Sequence, residues 1–134
     1  MFIKTYVSNN HMINKNMLNN AHKEGFCDGE VYSAYKIFFG TLVSESRLKI
    51  INLLRKGKRN VSEIMKLLKM DQTAVSHDIA RLKTCGFVKT EKDGKFVYCS
   101  LNEKTINPMM NLIDAHMSQY CMHILHNIKE GNRK

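Results

Sequence analysis

The sequence predicts a mainly α-helical domain carrying one β-hairpin, and three features carry that prediction. Apolar residues recur at three- and four-residue steps in successive stretches from Gly29 to Lys129. Two of those stretches are separated only by Lys69-Met70 and a capping residue, Asp71. After Gly86 the period changes, and a β-branched and aromatic segment folds back around an Asp93-Gly94 turn.

Taken in order, residues 1–25 read as an N-terminal arm. Six asparagines (Asn9, Asn10, Asn14, Asn16, Asn19 and Asn20) crowd it, and asparagine competes with helix by bonding to its own backbone. Met12, Ile13, Met17 and Leu18 keep a weak helical rhythm, so the arm is expected to be flexible or a loosely docked helix. Residues 26–134 are expected to form the folded domain. Its first helix runs from about Gly29 to Leu42, with Val31, Ala34, Tyr35, Phe38, Phe39 and Leu42 in phase. Ser44 has the chemistry of a cap for the next helix, whose stripe is Leu48, Ile51 and Leu54 and whose stop is Gly57. Lys56, Lys58 and Arg59 make the following loop basic.

Ser62 then caps a short helix with Ile64, Leu67 and Leu68 apolar. Asp71 caps a second helix that ends at Gly86, with Val75, Ile79 and Leu82 as its buried stripe. Two helices joined so tightly form a helix-turn-helix. The strands follow at 87–92 and 95–101, and a helix-turn-helix completed by a hairpin is a winged helix. Asn107-Pro108 opens the last helix, predicted to run to about Lys129, roughly 30 Å at 1.5 Å per residue. Its stripe of Met110, Ile113, Met117, Tyr120, Ile124 and Ile128 is longer than a small winged helix needs for its own core. A second copy of the same helix is the simplest cover, which gives a C₂ homodimer.

Composition narrows the function. The 134 residues are 43% hydrophobic and 25% charged, a globular balance. No apolar run approaches the roughly 18 residues of a membrane span, so no membrane role is expected. The N-terminus lacks an apolar core for a signal peptide, so a cytoplasmic location is expected. Lysine and arginine total 21 against 12 acids, a net charge of +9 that favours a polyanionic partner. An enzyme is not expected. There is no Gly-rich phosphate loop and no nucleophile elbow, and Ser76-His77 point in different directions and make no dyad.

At this point a family resemblance is visible. FFGTLVSESRLKIINLL, DQTAVSHDIARLKTCGFV and EKDGKFVYCSL resemble, in that order, the Arg-Leu helix, recognition helix and wing of the ArsR-SmtB winged-helix transcriptional repressors. The match covers about residues 35–125. It implies dimerisation through the first and last helices, binding to a double-stranded DNA operator, and release by a metal or redox signal.

The residues support DNA reading independently. With Val75, Ile79 and Leu82 inward, Gln72, Thr73, Ser76 and His77 lie on the outer, N-terminal part of the recognition helix (72–85), the end that meets base edges in such motifs. Arg81 and Lys83 from the helix end, and Lys89, Lys92 and Lys95 around the wing (89–97), are candidates for phosphate contact. The alternatives are a winged-helix module that docks on another protein, and a DNA-binding regulator that answers to no effector.

The switch is the less determined part. The resemblance implies a zinc site across the two last helices, but its positions here carry Glu103, Thr105, His116 and Gln119, of which only two are good ligands. A cysteine-rich run before the recognition helix is absent, and Asn52 stands where the thiol-sensing branch has a cysteine. What remains is a divalent metal such as zinc at His116 and His123, two turns apart, with His126 nearby. The other candidate is a redox pair of Cys27 and Cys121 where the first and last helices meet. Packed histidines and buried structural thiols are the plainer reading, and Cys85 and Cys99 are read as fillers. The methionines on the last helix are read as core or dimer seam rather than as soft-metal ligands.

Overall fold

A computed structural model of the chain describes residues 12–133. The described residues fall into two compact units that divide between Glu45 and Ser46.

In the first unit, helix α1 (Lys15–Lys23) occupies part of the expected arm, of which residues 1–11 lie outside the described residues. Asn14 starts α1, its side-chain oxygen accepting from the backbone N–H groups of Asn16 (2.9 Å) and Met17 (3.2 Å). The asparagine-rich composition that argued against helix thus supplies the cap. Ile13 and Leu18 are buried with Val31 of helix α2 (Asp28–Leu42), and Met17 and Ala21 pack beside them. The His22 ring bonds the Asp28 carboxylate. Helix α2 begins one residue before the expected Gly29, with Cys27 as its capping residue and the Glu30 carboxylate accepting from the Cys27 N–H.

The second unit is the winged helix. Helix α3 (Glu45–Leu54) buries Ile50, Ile51 and Leu54. Strand β1 (Arg59–Asn60) leads directly into helix α4 (Val61–Leu68), and helix α5 (Gln72–Thr84) follows. Strands β2 (Val88–Asp93) and β3 (Phe96–Leu101) pair antiparallel, and β1 adds on the far side of β3, giving the order β1-β3-β2. The core joins Ile64 of α4, Val75, Ile79 and Leu82 of α5, Phe87, and Cys99 and Leu101 of β3, all almost fully covered. Ile106 and Met110 close it from helix α6 (Ile106–Gln119). Among the described residues no helix is long and apolar enough to cross a membrane.

The structure corrects the sequence reading at four points. Asn60, not Ser62, caps α4: its side chain accepts from the Glu63 N–H (2.8 Å) while Glu63 accepts from the Asn60 N–H (3.2 Å). The hairpin loop is Gly94-Lys95, because Asp93 still pairs with Phe96. Gly94 takes φ +62° and leads the loop, the position where a type II′ turn requires glycine. Helix α6 starts at Ile106, so Pro108 sits third in the first turn, where its missing N–H costs nothing.

The last helix is also not continuous. It breaks at Tyr120 (φ −121°, ψ −61°) and resumes as helix α7 (Cys121–Arg133). Of the predicted stripe Met110 is buried, but Tyr120, Ile124 and Ile128 are each about half exposed at 52%, 59% and 53%.

Candidate nucleic-acid interface

The recognition helix is set by its two ends and one cross-link. At its start the Asp71 side chain accepts from the Ala74 N–H at 2.7 Å. The turn before it is tightened by Lys69, the one described non-glycine residue at positive φ (+53°), with Met70 N–H donating to Met65 O at 3.0 Å. At its end Gly86, φ +78°, releases the chain so that Phe87 N–H reaches Leu82 O at 2.9 Å. In its middle the Asp78 carboxylate accepts from Ser46 Oγ at 2.5 Å and faces Arg47 Nη1 at 3.5 Å. That contact ties α5 to α3 across more than thirty residues of chain. Sequence reasoning missed it. The only local signal was an acidic residue between two apolar-stripe positions.

With the stripe inward and Asp78 tied back, Gln72, Thr73, Ser76 and His77 are all exposed, as are Arg81 and Lys83. Gln72 and Ser76 line a groove of about 550 Å³ together with Ser62, Met65, Lys83 and Lys95. The structure therefore brings the first half of the recognition helix, the start of α4 and the wing turn onto one concave surface rich in donors. Thr73 and His77 lie one step around α5, outside that groove. Lys92 pairs with Val97 near the hairpin turn, and Lys95 is in the turn itself. Lys89 is different: it pairs with Ser100 at the base of the hairpin and lines another cleft.

The candidate switch residues are not gathered. The His116 ring lies against Tyr120, centroids 4.8 Å apart, and His126 pairs with Glu130 at 3.1 Å. The break at Tyr120 falls between His116 and His123, so they are not two turns along one continuous helix as expected. Among the described residues no three His, Cys, Asp or Glu side chains form a metal-sized group. The donor set that resemblance implied for zinc (Glu103, Thr105, His116, Gln119) does not fit a resident metal either, since two of its members are poor ligands. All four cysteines are free; Cys27 and Cys121 are exposed, and Cys99 is buried. Burial pushes the Cys99 thiol above its ordinary range, against a smaller downward pull from Lys83, which suits a packing role.

Comparison with known proteins agrees with this geometry. Residues 44–90, from the residue before α3 to β2, match the model of the bacterial regulatory proteins of the arsR family. Over these residues the winged helix is similar to the arsR family. The chain is 29% identical over 80 residues to the transcriptional repressor SdpR of Bacillus subtilis, covering 57% of this chain and 89% of SdpR. It is 34% identical over 76 residues to the cadmium resistance regulatory protein CadC of Listeria innocua, covering 56% of this chain and 64% of CadC. The solved structure of reduced HlyU from Vibrio cholerae superposes with a TM-score of 0.58 at 25% identity, over 69% of this chain and 95% of HlyU. The protein is a DNA-binding transcription regulator and not an enzyme.

Proposed function

We propose that two copies of this chain form a cytoplasmic homodimeric repressor that reads a double-stranded operator. The observation that carries this reading is the shared surface of α5 and the wing turn: Gln72, Ser76 and Lys95 line one groove, with Thr73 and His77 exposed beside it. Gln72, Thr73, Ser76 and His77 face the bases, while Arg81, Lys92 and Lys95 meet phosphates. Residues 26–134 form the binding and dimerisation part, with residues 1–25 preceding it as an arm.

The dimer reading is supported by α7, in which every residue from Cys121 to Asn132 is exposed. A helix of that length is marginal in water by itself, so its apolar residues call for a partner surface. A metal signal, by analogy with the cadmium-resistance relative, requires His116 and His123 to be completed by donors from a second copy. A thiol signal at Cys27 and Cys121 is supported by their exposure.

Fluorescence anisotropy tests the reading, using labelled duplex DNA from upstream of the protein's own gene, with zinc and then with chelator. Thr73→Ala/Ser76→Ala is expected to weaken specific binding about 30-fold, at roughly 1 kcal/mol per lost hydroxyl contact, with an unchanged circular dichroism spectrum. Lys92→Gln/Lys95→Gln is expected to weaken all duplexes alike and to flatten the salt dependence, each lost phosphate contact removing about 0.9 from the log–log slope. A Thr73→Ala/Ser76→Ala protein that holds the operator as tightly as wild type overturns the recognition-helix assignment. Binding indifferent to zinc overturns the zinc signal.

A further inference from the structure

A second charged surface lies at the base of the hairpin, where Lys89 was found. The cleft there is about 840 Å³ and is bounded by the α3–β1 loop, the bases of β2 and β3, and the turn that enters α6. Arg55, Lys56, Lys58, Lys89 and Lys104 line it, and Glu103 is its one carboxylate. Leu54, Val88 and Leu101 contribute apolar wall. The strand pairs at this cleft are Val88–Leu101 and Lys89–Ser100, whereas the wing turn closes at Asp93–Phe96. Four strand residues, about 13 Å, separate Lys89 from that end. The cleft is thus distinct from the groove that gathers Gln72, Ser76 and Lys95.

The cations of this cleft are differently committed. Lys58 Nζ rests over the Tyr98 ring, 5.3 Å from its centroid. Arg55 is held in a fixed orientation: Nη1 donates to Asn52 Oδ1 (2.9 Å), and Nη2 donates to Asn111 Oδ1 (2.7 Å) and pairs with Asp114 Oδ2 (2.8 Å). The side-chain ammonium groups of Lys56, Lys89 and Lys104 have no acidic or hydrogen-bonding partner among the described residues. Such a concentration of like charge around a concave, part-apolar space raises the local concentration of anions. Its volume lies within the range of small-molecule sites.

We propose that this cleft binds a small phosphorylated molecule of nucleotide size. The free lysines meet the phosphates, the oriented Arg55 guanidinium offers its planar fork, and the apolar wall takes the organic part. A phosphate on Arg55 competes with Asp114, so the occupied site loosens the tie between α3 and α6. The proposal does not depend on operator binding, because the titration itself needs no DNA.

Isothermal titration of the full chain with ATP, at about 50 mM salt and without metal, is the experiment. Saturable binding is expected. Lys56→Gln/Lys104→Gln, both exposed positions, is expected to weaken it at least tenfold. Lys92→Gln/Lys95→Gln is expected to leave it within twofold. Asp114→Asn is expected to tighten it severalfold by freeing Arg55, a gain that a misfolded variant would not produce. Absence of saturable heat overturns the proposal, as does equal loss in the wing variant, which would reveal only a diffuse cationic field. So does a Lys56→Gln/Lys104→Gln protein that loses operator DNA as severely as the wing variant, since the cleft would then be DNA surface.

Discussion

Asp78 sits on the recognition helix but faces away from the proposed DNA surface. Its carboxylate takes the Ser46 hydroxyl and the Arg47 guanidinium, and both charged side chains are largely covered, at 14% and 20% exposure. A largely covered carboxylate bonded in this way stabilises the fold only while its donors remain, because either side left alone is an unpaired polar group. Asp78→Ala is therefore expected to lower stability by about 1–2 kcal/mol in urea unfolding. It is also expected to weaken operator binding without removing any DNA contact, by loosening the angle of α5 on α3. An unchanged unfolding midpoint would show that the tie contributes nothing. The lysines make the converse point. Lys89 and Lys95 are the same residue type on one hairpin, yet strand pairing sends one to the basic cleft and the other to the recognition groove.

Caps decide where the helices of the helix-turn-helix begin. Asp71 satisfies an orphan N–H at the start of α5, and Asn60 with Glu63 does so at the start of α4. Asp71→Ala and Asn60→Ala are each expected to cost about 1 kcal/mol in thermal or urea unfolding. Ser62→Ala, at the residue that composition alone favours as the cap, is expected to stay within about 0.5 kcal/mol. A larger loss at Ser62 than at Asn60 would contradict the capping assignment. The same preference of serine and asparagine for caps explains both readings: each type competes, and the position that adopts extended φ/ψ before the first turn wins. Asn60, at φ −80° and ψ 165°, is that position.

For the molecule as a whole, the unresolved demand is apolar surface. Ile124, Leu125 and Ile128 of α7 are 59%, 46% and 53% exposed, on a helix without a single buried residue among those described. In the homodimer proposed above, this surface is covered by the second copy. Analytical ultracentrifugation is expected to show a dimer for the wild-type chain. Ile124→Glu/Ile128→Glu is expected to shift it to monomer and to reduce operator affinity in parallel. A wild-type monomer at micromolar concentration would contradict the dimer and leave α7 to another partner.

Local rules made much of this protein legible from its residues. Helices α3, α4 and α5 were placed by apolar positions at three- and four-residue steps, and the wing by its turn glycine and β-branched strands. The exposed face of α5 followed once Val75, Ile79 and Leu82 were inward, since each of these inferences needs only neighbours within a turn or a strand pair. Other features came from long-range contact. The Ser46–Asp78 bond joins residues 32 apart, and β1 is two residues long, too short for any period to register. The docking of α1 on Val31, the break at Tyr120 and the gathering of five cations at the hairpin base are likewise tertiary outcomes. Periodicity tells a side chain which face of its own element it occupies. Which other element meets that face is decided only when the chain packs.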